Sequence, residues 1–343
     1  MQEAGLLIVI ILIGVMLSLL GGSIQIRGHE VNNFLRADNL IGGVATPMAT
    51  YAIMAVGATF VIISGGIDIS VGAIYALSAL ATAAVLQNVA CDASAWKVIP
   101  LAIVVSCGVG LICGLINGLL IVGFRLHPFI VTLGTMGIFR GIGNVAITIK
   151  TLPGPGRTIP LALTRHWMMY ETKHHYLGTM SLQPMPMIIA LICVAAGWFY
   201  LALTVAGREN YAVGGNEEAA RFSGLSVWRI KLRVYALAGL TAGIAGLVLI
   251  GFRGSASTNS GQGYELTVIA AAVVGGASLL GGRGTALGAL LGALVIKLIE
   301  NGILILKLNQ EYSSIITGVA IILAAALDQL SEHLRNRRMR KRV

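Results

Sequence analysis

Charge is what this sequence has least of. Only 11% of its 343 residues are Asp, Glu, Lys or Arg, against about 25% in a soluble domain. A surface so poor in charge does not stay dissolved in water, which excludes an ordinary soluble protein. Cysteine is scarce too. Of four, Cys107, Cys113 and Cys193 lie inside apolar runs and only Cys91 falls in a polar connection, so no two loop cysteines can pair and a disulfide framework is unsupported. No CxxC or Cys/His spacing suits a metal. His166, His174 and His175 share one polar loop and read as solvated side chains. The phosphate cradle G-x-x-x-x-G-K-[ST] is missing. Gly281-Gly282-Arg283-Gly284-Thr285 is glycine-rich but has neither the lysine nor a preceding strand, so any ATP hydrolysis belongs to another chain. No nucleophile–base constellation marks an enzyme, and no cofactor is implied.

What the chain has is apolar length. Hydrophobic residues make up 56%, and the mean hydropathy is +0.85. Glycine numbers 44, as suits membrane helices whose backbones approach closely. A helix needs about 20 apolar residues to cross the hydrocarbon core. Ten such spans are expected, near 5–22, 42–64, 72–90, 98–123, 128–148, 186–206, 231–252, 264–281, 286–306 and 312–330. The predicted fold is therefore an all-α polytopic membrane helical bundle, one permease-like domain over 1–343 in contact with lipid. The first run follows Met1-Gln2-Glu3, which carries no Lys or Arg, so it is expected to stay as a helix and not to be removed as a signal peptide.

The net charge of +10 does not indicate nucleic acid. Six of the 24 basic residues crowd the tail: Arg335, Arg337, Arg338, Arg340, Lys341 and Arg342. A basic cluster after an apolar run is a cytoplasmic membrane anchor. With both termini in the cytoplasm, 13 Lys and Arg fall inside (the six of the tail with Arg125, Arg208, Arg221, Arg229, Lys231, Arg233 and Arg283). Nine fall outside: Arg27, Arg36, Lys97, Lys150, Arg157, Arg165, Lys173, Arg253 and Lys307. This places the proline-rich loop 149–185 outside, and the charged segment 207–230 and tail 331–343 in the cytoplasm of an inner-membrane protein.

Three features carry mechanism. Ser64-Gly65-Gly66-Ile67-Asp68-Ile69-Ser70-Val71-Gly72 interrupts two apolar runs. Its glycines break the helix, and Asp68 or Ser70 can cap the next one. A carboxylate at this depth also marks a functional path, so Asp68 is both a cap and a gating or substrate contact candidate. Within the spans the strongly polar residues are chiefly Asn117, Arg140, Asn144, Lys297, Glu300 and Asn301. Lys297 and Glu300 stand three apart and suit a structural ion pair. Asn117 and Asn301 suit either interhelical hydrogen bonds or a cavity wall, and Arg140 and Asn144 join them as path candidates. Finally, Gly215-Asn216-Glu217-Glu218-Ala219-Ala220 leads to Gly224. Asn216 is an N-cap, the two glutamates suit the positive end of the helix dipole, and Gly224 is a stop. One short surface helix is predicted, with Ala219 and Ala220 small enough for a partner to dock.

The same strings resemble the permease subunits of ATP-binding-cassette sugar importers of the ribose type. The matching segments are Ala52-Ile-Met-Ala-Val-Gly57, the Ser64–Gly72 break, and His127-Pro-Phe-Ile-Val-Thr-Leu-Gly134 with Arg140-Gly141. After these come Gly207–Gly224, Gly263-Tyr-Glu-Leu266, Gly275-Gly-Ala-Ser-Leu-Leu-Gly-Gly-Arg-Gly284 and Asn301-Gly302. They run in family order over roughly 45–330. The resemblance implies two permease subunits, cytoplasmic ATP-binding subunits docked on 207–230, and a periplasmic sugar-binding protein. It also implies passage of a pentose or hexose by alternating access. Where the family tends to carry two asparagines before the glycine, this chain has Glu300-Asn301, and its 149–185 loop matches poorly. A branched-chain amino-acid permease, with Arg140 and Asp68 facing a zwitterion, and a proton-coupled carrier are the rival readings.

Overall fold

The computed structural model describes residues 2–26, 28–174 and 178–320, with 322, 323 and 326; for residues 2 and 170–182 it describes the backbone alone. The basic tail 331–343 and most of the last predicted span beyond 320 lie outside the described residues. The chain is an α-helical bundle. Helix α1 (Gln2–Leu20) leads to a hairpin of β1 (Ser23–Ile26) and β2 (His29–Asn32). A π-helical turn, Asn39–Ala45, runs into α2 (Thr46–Ile63), followed by α3 (Val71–Leu86), α4 (Ala95–Phe124) and α5 (Pro128–Ala146). The following loop holds β3 (Thr151–Leu152), a π-helical turn Ala162–Trp167 and the hairpin of β4 (Tyr170–His174) with β5 (Gly178–Leu182). Then come α6 (Met185–Leu203), α7 (Val205–Gly215), α8 (Glu217–Phe222), α9 (Val227–Arg253), β6 (Ala256–Ser257), α10 (Tyr264–Val274) and α11 (Ala286–Ile305). Residues 311–320 are again helical.

Ten full-length spans are not what forms. Seven described helices are long and apolar enough to cross a membrane. The predicted span 72–90 is the 16-residue α3, about 24 Å at 1.5 Å per residue. The predicted span 264–281 is the 11-residue α10, about 16 Å, against a core of about 30 Å. Gly276 (φ +98°) ends the helical region after α10, and Gly261 and Gly263 (φ +67° and +83°) shape the loop before it. Hydropathy counts apolar residues and does not see such turns. Most residues of both α3 and α10 are buried in protein. Their length therefore need not match the bilayer, and the irregular backbone beside them is satisfied internally.

Burial orders the helices. The window of α2 with its π-helical lead is 89% buried and that of α9 is 78%, so these two form the centre. The windows of α4, α5 and α6 are 28% buried and that of α1 is 6%, which puts these helices on the periphery. The α4–α9 contact is glycine to glycine. A Cβ on Gly110 would stand 2.4 Å from Gly239 O, and one on Gly114 2.3 Å from Tyr235 O. Only hydrogen at those positions permits such an approach, as in small-residue membrane interfaces. Ser106 Oγ reinforces it by donating to Gly243 O at 2.7 Å.

Hydrogen bonds sort the connections into two ends of the bundle. At the first end Gly282 N donates to Ile63 O (2.9 Å), Thr285 to Glu3 (2.9 Å) and Tyr211 to Gly284 O (2.7 Å). At the second end Thr46 donates to Gln183 O, Gly154 N to Gln87 Oε1, and β3 pairs with β6. The 149–185 loop is thus built into the second end. Met168 is fully buried and Leu163 with it, and a Cβ on Gly251 would stand 2.3 Å from Met168 Cε.

Candidate functional site

The glycine break sits at the first end, between α2 and α3. Asp68 is 4% exposed. Its Oδ1 accepts from Ser70 N at 2.8 Å and Ser70 Oγ at 2.6 Å, an Asx turn two residues long. It therefore organises the residue before α3, while the Ser70 hydroxyl is spent on Asp68 and caps nothing on α3. Asn117, fully buried on α4, donates to Ser70 Oγ at 2.7 Å. Thr132 of α5 accepts from Ile69 N and donates to Ile67 O, each at 3.2 Å. Tyr235 of α9 presses its hydroxyl on Gly66, where a Cβ would stand 2.5 Å away. Asp68 Oδ2, Asn117 Oδ1 and Tyr235 Oη are buried with no protein hydrogen-bond partner. Three helices, α4, α5 and α9, thus meet on one irregular loop, and the structure brings Asp68 and Asn117 together there.

Arg140 and Asn144 do not share an environment. The Arg140 guanidinium reaches from α5 to the loop before α10 at the second end. It donates to Glu265 Oε1 at 2.6 Å, Gly261 O at 3.0 Å and Ser260 O at 3.4 Å. Glu265 is 6% exposed. The arginine, a path candidate from sequence, ties the glycine loop to α5 through these bonds. Sequence reading takes Glu265 only as part of the Gly263-Tyr-Glu-Leu266 string and gives it no role, although a lone acid inside a predicted span is itself a signal for a partner. Asn144 is exposed on α5.

On α11, Lys297 Nζ donates to Glu300 Oε2 at 2.9 Å, with side chains 16% and 22% exposed. Asn301 is tied elsewhere. Its amide exchanges hydrogen bonds with Asn39 at 2.8 and 3.2 Å, joining α11 to the π-helical lead of α2. Asn39 lies just ahead of a predicted span, and hydropathy gave no reason to single it out.

The segment after α6 is two helices. Thr204 caps α7, accepting from Gly207 N at 3.0 Å, and Asn216 caps α8, accepting from Ala219 N at 2.9 Å. Gly224 stands at φ +84° just beyond α8. Helix α7 is locked to the body. Buried Asn210 donates to Phe60 O at 3.1 Å, and a Cβ on Gly214 would stand 1.5 Å from Ile63 O. Burial pushes the Tyr211 phenol above its ordinary value. Arg233 pairs with Glu209 at 2.9 Å and Lys231 with Glu217 at 2.7 Å. Within α8 the two alanines divide. Ala220 is 5% exposed and packs with Val213, Val227 and Ile230, so it seats α8 on its own chain and is not on offer to a partner. Ala219, Glu218 and Phe222 face outward, Phe222 at 84% exposure. Gly215 is exposed between the two helices. A cleft of about 540 Å³ runs alongside, between the end of α4 and α8–α9, walled by Arg125, Leu126, Arg221 and Trp228.

An α-helical bundle with seven helices of spanning length among the described residues is a multi-pass membrane architecture. The chain belongs to the family described as branched-chain amino acid transport system / permease component, whose pattern matches residues 40–325. Among curated proteins it is 37% identical to the ribose import permease protein RbsC of Bacillus subtilis (strain 168), covering 87% of this chain and 86% of that one. It is 34% identical to the D-allose transport system permease protein AlsC of Escherichia coli (strain K12), covering 90% and 88%. It is 35% identical to the galactose/methyl galactoside import permease protein MglC of the same strain, covering 87% and 88%. No solved structure matches it.

Proposed function

We propose that this chain is the transmembrane permease subunit of an ATP-driven importer and passes a small sugar of the pentose or hexose class. The observation that carries the reading is similarity at 34–37% identity, over most of the chain, to permeases named for ribose, allose and galactose. The geometry supports a subunit that receives force from elsewhere. The arm α7–α8 is bonded to the end of α2 through Asn210. Beside it, Gly282 N bonds Ile63 O, one residue from the glycine break. A push on α8 therefore reaches the Asp68 loop through short, packed contacts. The partners of this reading are a cytoplasmic ATP-binding subunit on α8, a periplasmic sugar-binding protein over the 149–185 loop and a second permease subunit. The 13-to-9 distribution of Lys and Arg orients the first end toward the cytoplasm.

The family description names branched-chain amino acids, which makes such a permease the second reading. A zwitterion needs a free cation and a free anion in its path. Arg140, the strongest cation candidate, is already neutralised by Glu265 at 2.6 Å, which favours the neutral sugar. The test is uptake into proteoliposomes holding the chain with its ATP-binding subunit and binding protein. Import of labelled ribose, allose or galactose that stops on ATP removal and survives a protonophore is expected. ATP-dependent import of leucine instead, or uptake abolished by the protonophore, overturns the reading.

A further inference from the structure

A second cleft, of about 300 Å³, opens near the second end between α2, α10, α11 and the helical run 311–320. Its size lies at the small end of the range for small-molecule sites, about 300–1,000 Å³. Its lining is unlike anything lipid requires. Tyr51, Gln262, Tyr264, Thr267, Glu300 and Thr317 bring two phenols, an amide, two hydroxyls and a carboxylate to one concavity. Polar side chains are expensive in a membrane bundle and mark substrate paths when they converge. The aromatic rings are fixed: Tyr51 and Tyr264 meet edge to face at 4.9 Å, and Tyr75 lies 5.7 Å beyond Tyr264. Lys297 pins one oxygen of Glu300 at 2.9 Å, so the carboxylate is oriented and its charge compensated while further lone pairs stay open.

A monosaccharide presents an apolar C–H face and a rim of hydroxyls that both donate and accept. An aromatic wall answers the first, and a fixed carboxylate with amide and hydroxyl groups answers the second. We propose that this cleft is a monosaccharide subsite on the transport path, with Glu300 accepting from sugar hydroxyls and Tyr51 and Tyr264 forming its aromatic wall. It rests on the sugar-permease reading and specifies where in the chain the sugar is held. Gln262 and Tyr264 also wall a neighbouring cleft of about 310 Å³ that holds Tyr75 and Arg253. Gln262 and Tyr264 thus stand between the two clefts. Glu300 stands where the resembled family tends to carry asparagine, so the residue that reads the hydroxyls is one in which this chain departs from that pattern.

The test uses the full chain in lipid nanodiscs with its four cysteines replaced by alanine and Ser314→Cys, a cleft-lining position, as the reporter. Maleimide labelling is followed with saturating D-ribose, D-allose or D-galactose, and with L-leucine as the control. At least one sugar is expected to slow labelling about tenfold, as an occupied site would. Adding Glu300→Gln should remove the protection while labelling without sugar continues at its own rate, which shows the cleft intact. Thr317→Trp, filling the cleft, should abolish uptake by the assembled importer. If the importer takes up a sugar yet none protects Ser314→Cys and Thr317→Trp transports normally, the subsite is refuted and the function stands. If the importer takes up no sugar at all, the function fails and the subsite falls with it.

Discussion

Removing the Arg140 guanidinium tests whether that residue is a strut or a substrate contact. In Arg140→Met the side chain keeps an unbranched apolar stem and loses the guanidinium with its three hydrogen bonds. Glu265, 6% exposed, then carries a charge with no counter-ion, and the Ser260 and Gly261 carbonyls lose their donor. Breaking a buried pair from one side costs about 3–5 kcal/mol, a large part of a total stability of about 5–15 kcal/mol. The Arg140 side chain is 19% exposed and that of Glu265 8%, so solvent screening reduces this little. Glu265→Gln leaves a neutral acceptor for the guanidinium and should cost about 1–3 kcal/mol. Together the two changes should cost less than their sum, because the stranded charge is gone. Equilibrium unfolding in mixed micelles gives each value, and the double-mutant cycle gives the coupling, expected at about 1.5–3 kcal/mol. A coupling below about 0.5 kcal/mol, the level of independent sites, refutes the strut. Unchanged stability with lost uptake in Arg140→Met would return the residue to the substrate path.

Three further outcomes follow from the same geometry. Lys297→Met should impair uptake by leaving Glu300 without its partner, and adding Glu300→Gln should restore the fold but not sugar protection in the labelling assay; an additive loss of stability in the pair would refute their interaction. Asp68→Asn keeps an acceptor for Ser70 N and should retain most uptake, whereas Asp68→Ala strips two hydrogen bonds and should lower stability by about 1–3 kcal/mol; an alanine variant as stable and active as the parent would remove Asp68 from any role. Phe222→Ala, at an exposed position, should leave insertion unchanged and reduce co-purification of the ATP-binding subunit, while Ala220→Trp should expose α8 to protease by overfilling its seat. Full assembly in Phe222→Ala would place the docking surface elsewhere, with the cleft beside Trp228 as the next position to change.

Class and chemistry were legible in the sequence because they depend on local quantities. Apolar length sets the solvent, glycine and capping residues set where helices stop, and spacing sets which side chains share a turn. That is why the Ser64–Gly72 break, the Asn216-capped helix and the Lys297–Glu300 pair sit where the sequence puts them. Only tertiary structure decided how much of each apolar run is helix, because α10 is bounded by glycine turns and α3 stops at the Gln87–Val89 turn, and most of both helices is surrounded by protein. It also decided the partners of lone polar residues. Arg140 and Glu265 are 125 positions apart and Asn39 and Asn301 are 262 apart, distances at which periodicity carries no information. The direction of Ala220 was undecided for the same reason. A six-residue helix offers two similar alanines in sequence, and it takes Val213, Val227 and Ile230 folding beneath it to determine which one is buried.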